Sequence, residues 1–126
     1  MHSGHSISFL CSFQYDMMQD TMRVFRKLIR DNMPEIMAAK GTPILTRALE
    51  DDAEFIAALE NKLLEEMQEL RNKEQPALIQ IAYMEEILDA LQKAYGILPE
   101  AVEKERTQKR EERGGFEKRL FLETNQ

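Results

Sequence analysis

The side chains with the widest chemical repertoire are confined to one end of this chain. Both histidines (His2, His5), the single cysteine (Cys11) and all four serines (Ser3, Ser6, Ser8, Ser12) fall within the first twelve residues. A Ser-His or Cys-His nucleophilic centre, or a zinc site of the His/Cys type, would have to be assembled on a terminus that holds reacting atoms poorly in register. The rest of the chain offers carboxylates, Lys, Arg, Tyr and Thr, with carboxylates dominant. Two acidic groups have helical spacing: Glu65-Glu66-Met67-Gln68-Glu69 and, after sixteen intervening residues, Glu86-Ile87-Leu88-Asp89 with Glu85 beside it. At ~100° per residue, Glu65 and Glu69 project about 40° apart and Glu66 and Glu69 about 60° apart, so the first group forms one acidic patch. Glu86 and Asp89 occupy the most apolar stretch of the chain, where an unpaired buried carboxylate costs several kcal/mol or stays protonated. Two arrangements satisfy them. The acids lie on a solvated stripe or pair with Lys62, Arg71 or Lys93. Alternatively, two antiparallel helices face their acidic pairs together as an all-oxygen cage, which suits a hard divalent cation such as Mg²⁺.

The elements that must position these groups follow from periodicity and stop signals. Asp31 is expected to cap a short helix with Pro34 in its first turn and Gly41 as its stop. Residues 44–49 read as extended. Asp51 and Glu54 form a pair resembling a capping box that opens a long helix to about residue 72. Ile56, Leu59, Leu63, Met67 and Leu70 recur on it at spacings of three and four, the pattern of one buried face. Pro76 starts a third helix, 77–95, which is apolar nearly all round and is expected in the middle of a bundle, with Tyr83 and Tyr95 as packing residues. Gly96 ends it, Pro99 opens a charged fourth helix, and Gly114-Gly115 closes that. Residues 116–123 read as a short strand or a docked tail. The fold class expected is therefore all-α, a small bundle of about four helices with short extended segments.

Composition sets the remaining bounds. With 126 residues, 17 Lys+Arg and 23 Asp+Glu, the formal charge is −6, which disfavours a nucleic-acid partner. The acidic excess is largely local: residues 50–69 hold eight acids and one base, whereas residues 103–119 hold seven bases and five acids. No window approaches the ~20 apolar residues of a membrane span. One cysteine gives no internal disulfide and fits a reducing compartment, so the expected location is cytoplasmic. Residues 1–21 are read as a poorly ordered extension. It lacks the basic segment and cleavage site of a secretory signal, and Met17, Met18 and Met22 are alternative starts. Residues 22–126 are read as one domain.

Three stretches together resemble a known family. The E-E-x-x-E of residues 65–69 followed by the E-x-x-D of residues 86–89 is similar to the hallmark of the all-α nucleoside triphosphate pyrophosphatases, the MazG-like superfamily. KLIRDNMPEI (residues 27–36) resembles the K-L-V-R-D-x-I-P-E-I opening of a compact branch related to phosphoribosyl-ATP pyrophosphohydrolase. REERGGFEKRLFLE (residues 110–123) resembles that branch's closing motif. The resemblance covers about four-fifths of the chain, and departs from the opening motif at Asn32 and Met33. It implies a helical homodimer or homotetramer that hydrolyses the α–β phosphoanhydride of a nucleoside triphosphate to the monophosphate and pyrophosphate, in the manner of enzymes that remove noncanonical nucleotides. It also implies Mg²⁺, with Mn²⁺ as a substitute, bound by Glu66, Glu69, Glu86 and Asp89. Glu65 would be a fifth member, either a ligand or a residue that orients a ligand or a basic group.

On that reading Glu65 or Glu69 orients the attacking water or takes its proton. Lys27 and Arg30 near the start, and Arg113, Lys118 and Arg119 near the end, are the cations available to the triphosphate, and Gly114-Gly115 would let backbone N–H groups approach a phosphate. No G-x-x-x-x-G-K-[ST] occurs, which disfavours an ATPase of the P-loop type. Two rivals stand beside this expectation: a phosphoribosyl-ATP pyrophosphohydrolase, and a non-catalytic helical oligomerisation module whose acids are merely solvated.

Overall fold

The computed structural model describes residues 23–125, and the extension assigned to residues 1–21 lies outside them. Among the described residues there are four helices and no strand: α1 (Met33–Ala39), α2 (Asp52–Arg71), α3 (Ala77–Ala94) and α4 (Pro99–Arg113). The protein is all-α, of the small helical-bundle class. Its contacts separate into two compact units, Met1–Tyr95 and Gly96–Gln126. No helix of the described residues is long and apolar enough to cross a membrane.

In the first unit α2 and α3 pack against each other as an αα-hairpin, joined by residues 72–76. The start of α2 matches its sequence signal. Asp51 precedes the helix with extended backbone, and its carboxylate accepts from the Glu54 N–H at 3.0 Å. The box is only half closed, because the Glu54 carboxylate takes the Arg47 guanidinium at 2.7 Å. α1 departs from expectation. Its N-cap is Asn32, one residue after Asp31, with no side-chain cap bond, and Pro34 sits in the first turn where a missing N–H is harmless. Gly41 and Gly96, which follow α1 and α3, have positive φ as their stop roles require.

The apolar core is thin. Leu59 on α2 with Ile87 and Leu91 on α3 form its centre, bordered by Leu28, Phe55, Ile56, Leu63, Ala90 and Ala94. α3 is not sealed all round: it turns Ile87 and Leu91 inward but leaves Leu78, Ile81 and Leu88 exposed, since this unit supplies only α2 as a long neighbour. Tyr95 is likewise exposed, although its hydroxyl is satisfied by donating to Glu60 at 3.1 Å. Met67, expected on the buried face of α2, is exposed, and the inward place beside it belongs to Glu66.

In the second unit, α4 has no buried residue. Ion pairs at helical spacing support it, among them Lys109 with Glu105 at 3.0 Å and Arg106 with Glu103 at 3.6 Å. Gly114 ends it with φ +84° and donates its N–H to the Arg110 carbonyl at 2.8 Å. Residues 116–123 form no strand, and Phe116, Leu120, Phe121 and Leu122 are 85–95% exposed.

Candidate functional site

The buried seam between α2 and α3 changes character along its length. Near the start of α2 and the end of α3 it is apolar, built on Leu59, Ile87 and Leu91. Toward the connecting turn it is polar. The buried polar or charged residues among those described are Glu66, Glu69, Gln75 and Gln80, and they form one connected set. Gln80 exposes none of its surface. Its side-chain amide donates to the Glu66 carboxylate at 2.7 Å and to the Glu66 carbonyl at 3.1 Å. Its own carbonyl oxygen accepts from the side-chain amide of Gln75. Glu69, one turn on, lies near enough to Glu66 for each charge to act on the other.

Local sequence explains the placement. Glu66 is seven residues beyond Leu59, about 20° from it around the helix, so the inward stripe that begins in leucine ends in carboxylate. Glu69 lies about 60° further round and is equally withdrawn from water. Burial is the main reason its carboxyl is pushed up to about 8, and the neighbouring charges of Glu66, Glu65 and Glu74 add to it. Two neighbouring carboxyls out of water favour a shared proton or a bound cation. Their donor atoms are hard oxygens, the chemistry that Mg²⁺ or Mn²⁺ requires, so Glu66 and Glu69 fit such an ion.

The second acidic group is not brought to them. α3 presents Gln80, Ile87 and Leu91 inward. Asp89, nine residues beyond Gln80, falls about 180° from it, and Glu86 about 120°. Both are exposed, and Asp89 pairs with Lys93 one turn on at 3.1 Å. Among the described residues no three acids, histidines or cysteines are gathered as ligands. Glu65 is held by basic groups: its carboxylate meets Lys27 Nζ at 2.9 Å and Lys62 Nζ at 3.9 Å.

Lys27 and Arg30 do reach this hairpin. Lys27 lies against α2 through Glu65, and the Arg30 guanidinium lies 5.3 Å over the Tyr83 ring of α3. The irregular segment before α1 therefore lays one cation on each helix of the hairpin, Lys27 at Glu65 and Arg30 at Tyr83. Arg113, Lys118 and Arg119 belong to the second unit, where Arg113 ends α4 and Arg119 has a positive φ of 57°. The Gly114 N–H is engaged by the helix end rather than open to a phosphate.

Sequence reasoning missed Gln75 and Gln80. The available signal was Gln80 itself, one amide inside the apolar run Leu78-Ile79-Gln80-Ile81-Ala82. Such a residue must find buried hydrogen bonds or face water. Compared with protein-family models, curated proteins and solved structures, the chain matches none.

Proposed function

We infer that this protein is a divalent-cation-dependent nucleoside triphosphate pyrophosphohydrolase, a hydrolase that cleaves the α–β phosphoanhydride to give a nucleoside monophosphate and pyrophosphate. The observation that supports this reading is the pair of buried acids Glu66 and Glu69 on a hairpin that Lys27 and Arg30 also contact, at Glu65 and Tyr83. Acids withdrawn from water in a folded core are expensive unless they serve a ligand or share a proton. The order of the three sequence motifs supplies the rest.

Glu66 and Glu69 would hold Mg²⁺ or Mn²⁺, and Glu86 and Asp89, which α3 turns outward, would join them only if α3 rotated toward α2. A cation bound there would offset phosphate charge and make a bound water more acidic. Burial and the neighbouring acids push the Glu69 carboxyl up to about 8, so a cation held there would displace a proton. Glu65 is less available for that role because its carboxylate is engaged by Lys27 and Lys62. It serves instead to hold Lys27 near the site, where the ammonium and the Arg30 guanidinium neutralise a triphosphate. Arg113, Lys118 and Arg119 are the further cations proposed for substrate. The working enzyme is a cytoplasmic homo-oligomer in this reading.

The deciding assay is turnover of a nucleotide panel with Mg²⁺, scored as pyrophosphate against orthophosphate. Pyrophosphate release is expected, and its loss in Glu69→Gln and Asp89→Asn with the helical circular-dichroism signal intact. Hydrolysis of phosphoribosyl-ATP but of no nucleoside triphosphate would transfer the reading to that rival substrate.

A second reading has its own support. Exposed Leu78, Ile81 and Leu88 on α3, with Asp89 paired to Lys93, fit a non-catalytic oligomerisation module. Isothermal titration separates the two: the enzyme reading requires Mg²⁺ or Mn²⁺ binding that Glu66→Gln and Asp89→Asn weaken. Absence of binding by the unmodified chain, with no turnover, leaves the module.

A further inference from the structure

We propose that Gln80 is a positioning residue for Glu66, a fixed amide clamp that presents the Glu66 carboxylate beside Glu69 so that their remaining oxygens meet a divalent cation together. This rests on the cation-binding reading above and adds to it a residue from outside the acidic motifs.

The geometry fixes the clamp in two ways. Both amide hydrogens of Gln80 are directed at Glu66, one at the side chain at 2.7 Å and one at the backbone carbonyl at 3.1 Å. The carboxylate is thereby held to its own main chain through a neighbouring helix, which removes much of the rotational freedom of a long side chain. The amide itself cannot turn over without loss. Its carbonyl oxygen accepts from Gln75, so a flip would set oxygen against the oxygens of Glu66 and nitrogen against the nitrogen of Gln75.

The arrangement also crosses the hairpin. Gln75 lies in the connecting turn, Gln80 in the first turn of α3, and Glu66 in the latter half of α2. All are buried, so water does not compete for these bonds. A carboxylate that binds a cation is oriented by such partners, and their loss typically weakens metal affinity about 10–100-fold. A neutral amide suits the task because it donates to the carboxylate without adding a positive charge that would repel the ion.

The test is Mn²⁺ titration followed by the electron paramagnetic resonance of the free ion, on the full chain, with each variant checked for folding by circular dichroism. Gln80→Met keeps length and removes both donors, and Mn²⁺ affinity per folded molecule is expected to fall about 10–100-fold. Gln75→Met leaves the Gln80 donors in place but releases their orientation, and a smaller loss in the same direction is expected. Leu91→Ala, a core change away from the acids, is expected to lower stability and leave affinity unmoved, which separates positioning from support of the fold. A metal-free measurement runs beside these: the Gln80 side-chain amide protons exchange slowly in the unmodified chain, and Glu66→Gln shifts their resonances.

Unchanged Mn²⁺ affinity in both Gln80→Met and Gln75→Met, with binding by the unmodified chain, overturns the clamp and leaves the cation site standing. Should Gln80→Met not fold, Gln75→Met and the amide resonances decide the matter. No Mn²⁺ binding by an unmodified chain whose Gln80 amide is protected overturns the cation reading itself, and the clamp's role with it.

Discussion

Replacing Glu69 with glutamine removes the most strongly perturbed carboxyl of the described residues while keeping its size, and the consequence depends on pH in a defined direction. Glu69 titrates near 4.5 when the chain is unfolded and near 8 when folded, because burial and the adjacent Glu66 both disfavour its charge. The folded chain therefore holds a proton that the unfolded chain releases throughout the window between about 4.5 and 8. In that window the unfolded state binds fewer protons, so stability falls as pH rises. The separation corresponds to about 5 kcal/mol at most, at ~1.4 kcal/mol per pH unit. Sharing of the proton with Glu66 reduces the expected loss to about 3 kcal/mol between pH 5 and pH 8.

Glutamine has no such proton to release. With divalent cations chelated, Glu69→Gln and the unmodified chain are expected to be nearly equal in stability at about pH 5, with the variant gaining steadily up to pH 8. Urea unfolding followed by far-UV circular dichroism at several pH values measures this. At a slope of about 1–2 kcal/mol/M for a chain of this size, the midpoints should diverge by roughly 1.5–3 M. The difference between the two proteins cancels the titrating groups that do not interact with Glu69 and isolates the Glu66–Glu69 pair. Saturating Mg²⁺ at pH 8 should return about 2–3 kcal/mol to the unmodified chain alone, the linkage expected at ~100 times the dissociation constant. Parallel pH profiles for the two proteins would show that Glu69 ionises freely and would refute the reasoning.

Three further outcomes follow from the same packing. Leu59→Ala opens the centre of the α2–α3 core and should destabilise the chain by about 2–4 kcal/mol in denaturant titration, since few other buried apolar groups share the load. Asp51→Ala removes the cap acceptor at the start of α2 and should lower stability by about 1 kcal/mol, an effect that Asp51→Asn largely restores. Lys27→Met deletes the partly buried pair with Glu65, so stability should fall by about 1 kcal/mol, while the KM for a nucleoside triphosphate rises. An unchanged KM would confine Lys27 to a structural role.

The elements were legible where a local signal decides them. Asp51 with Glu54, Pro76, Pro99 and the glycines after α1, α3 and α4 mark boundaries by short-range chemistry, and the structure places α2, α3 and α4 within a residue or two of those marks. The inward face of α2 was legible only in part. Hydrophobic periodicity includes Met67 and passes over Glu66, yet the helix turns Glu66 inward because a donor on another helix receives it. That donor is fourteen positions away, and no period along one helix can register a partner across a turn. α3 was harder still. Its residues are apolar on most sides, so composition alone does not say which stripe meets α2. The stripe chosen is the one that carries Gln80, and that choice turns Glu86 and Asp89 outward.

This last point bears on how the two acidic groups can be reconciled. The α2 pair and the α3 pair were equally plain in sequence, but they differ in environment: Glu66 and Glu69 are buried, Glu86 and Asp89 exposed and, for Asp89, matched by Lys93. A cation binding at α2 gains most where desolvation is already complete, because the cost of stripping water from the acids has been met by folding. Comparing Mn²⁺ binding in Glu66→Gln with that in Asp89→Asn therefore asks a sharper question than whether metal binds. A large loss in the first and a small one in the second would make the α2 pair, with its Gln80 clamp, the anchoring half of the site. Equal losses would require α3 to rotate by about a third to a half of a turn relative to α2 when the ion is held. That motion would break the Gln80 bonds to Glu66, so the amide resonances of Gln80 would move on adding Mg²⁺. Preserved resonances together with equal losses would be inconsistent with any four-carboxylate arrangement inside one hairpin.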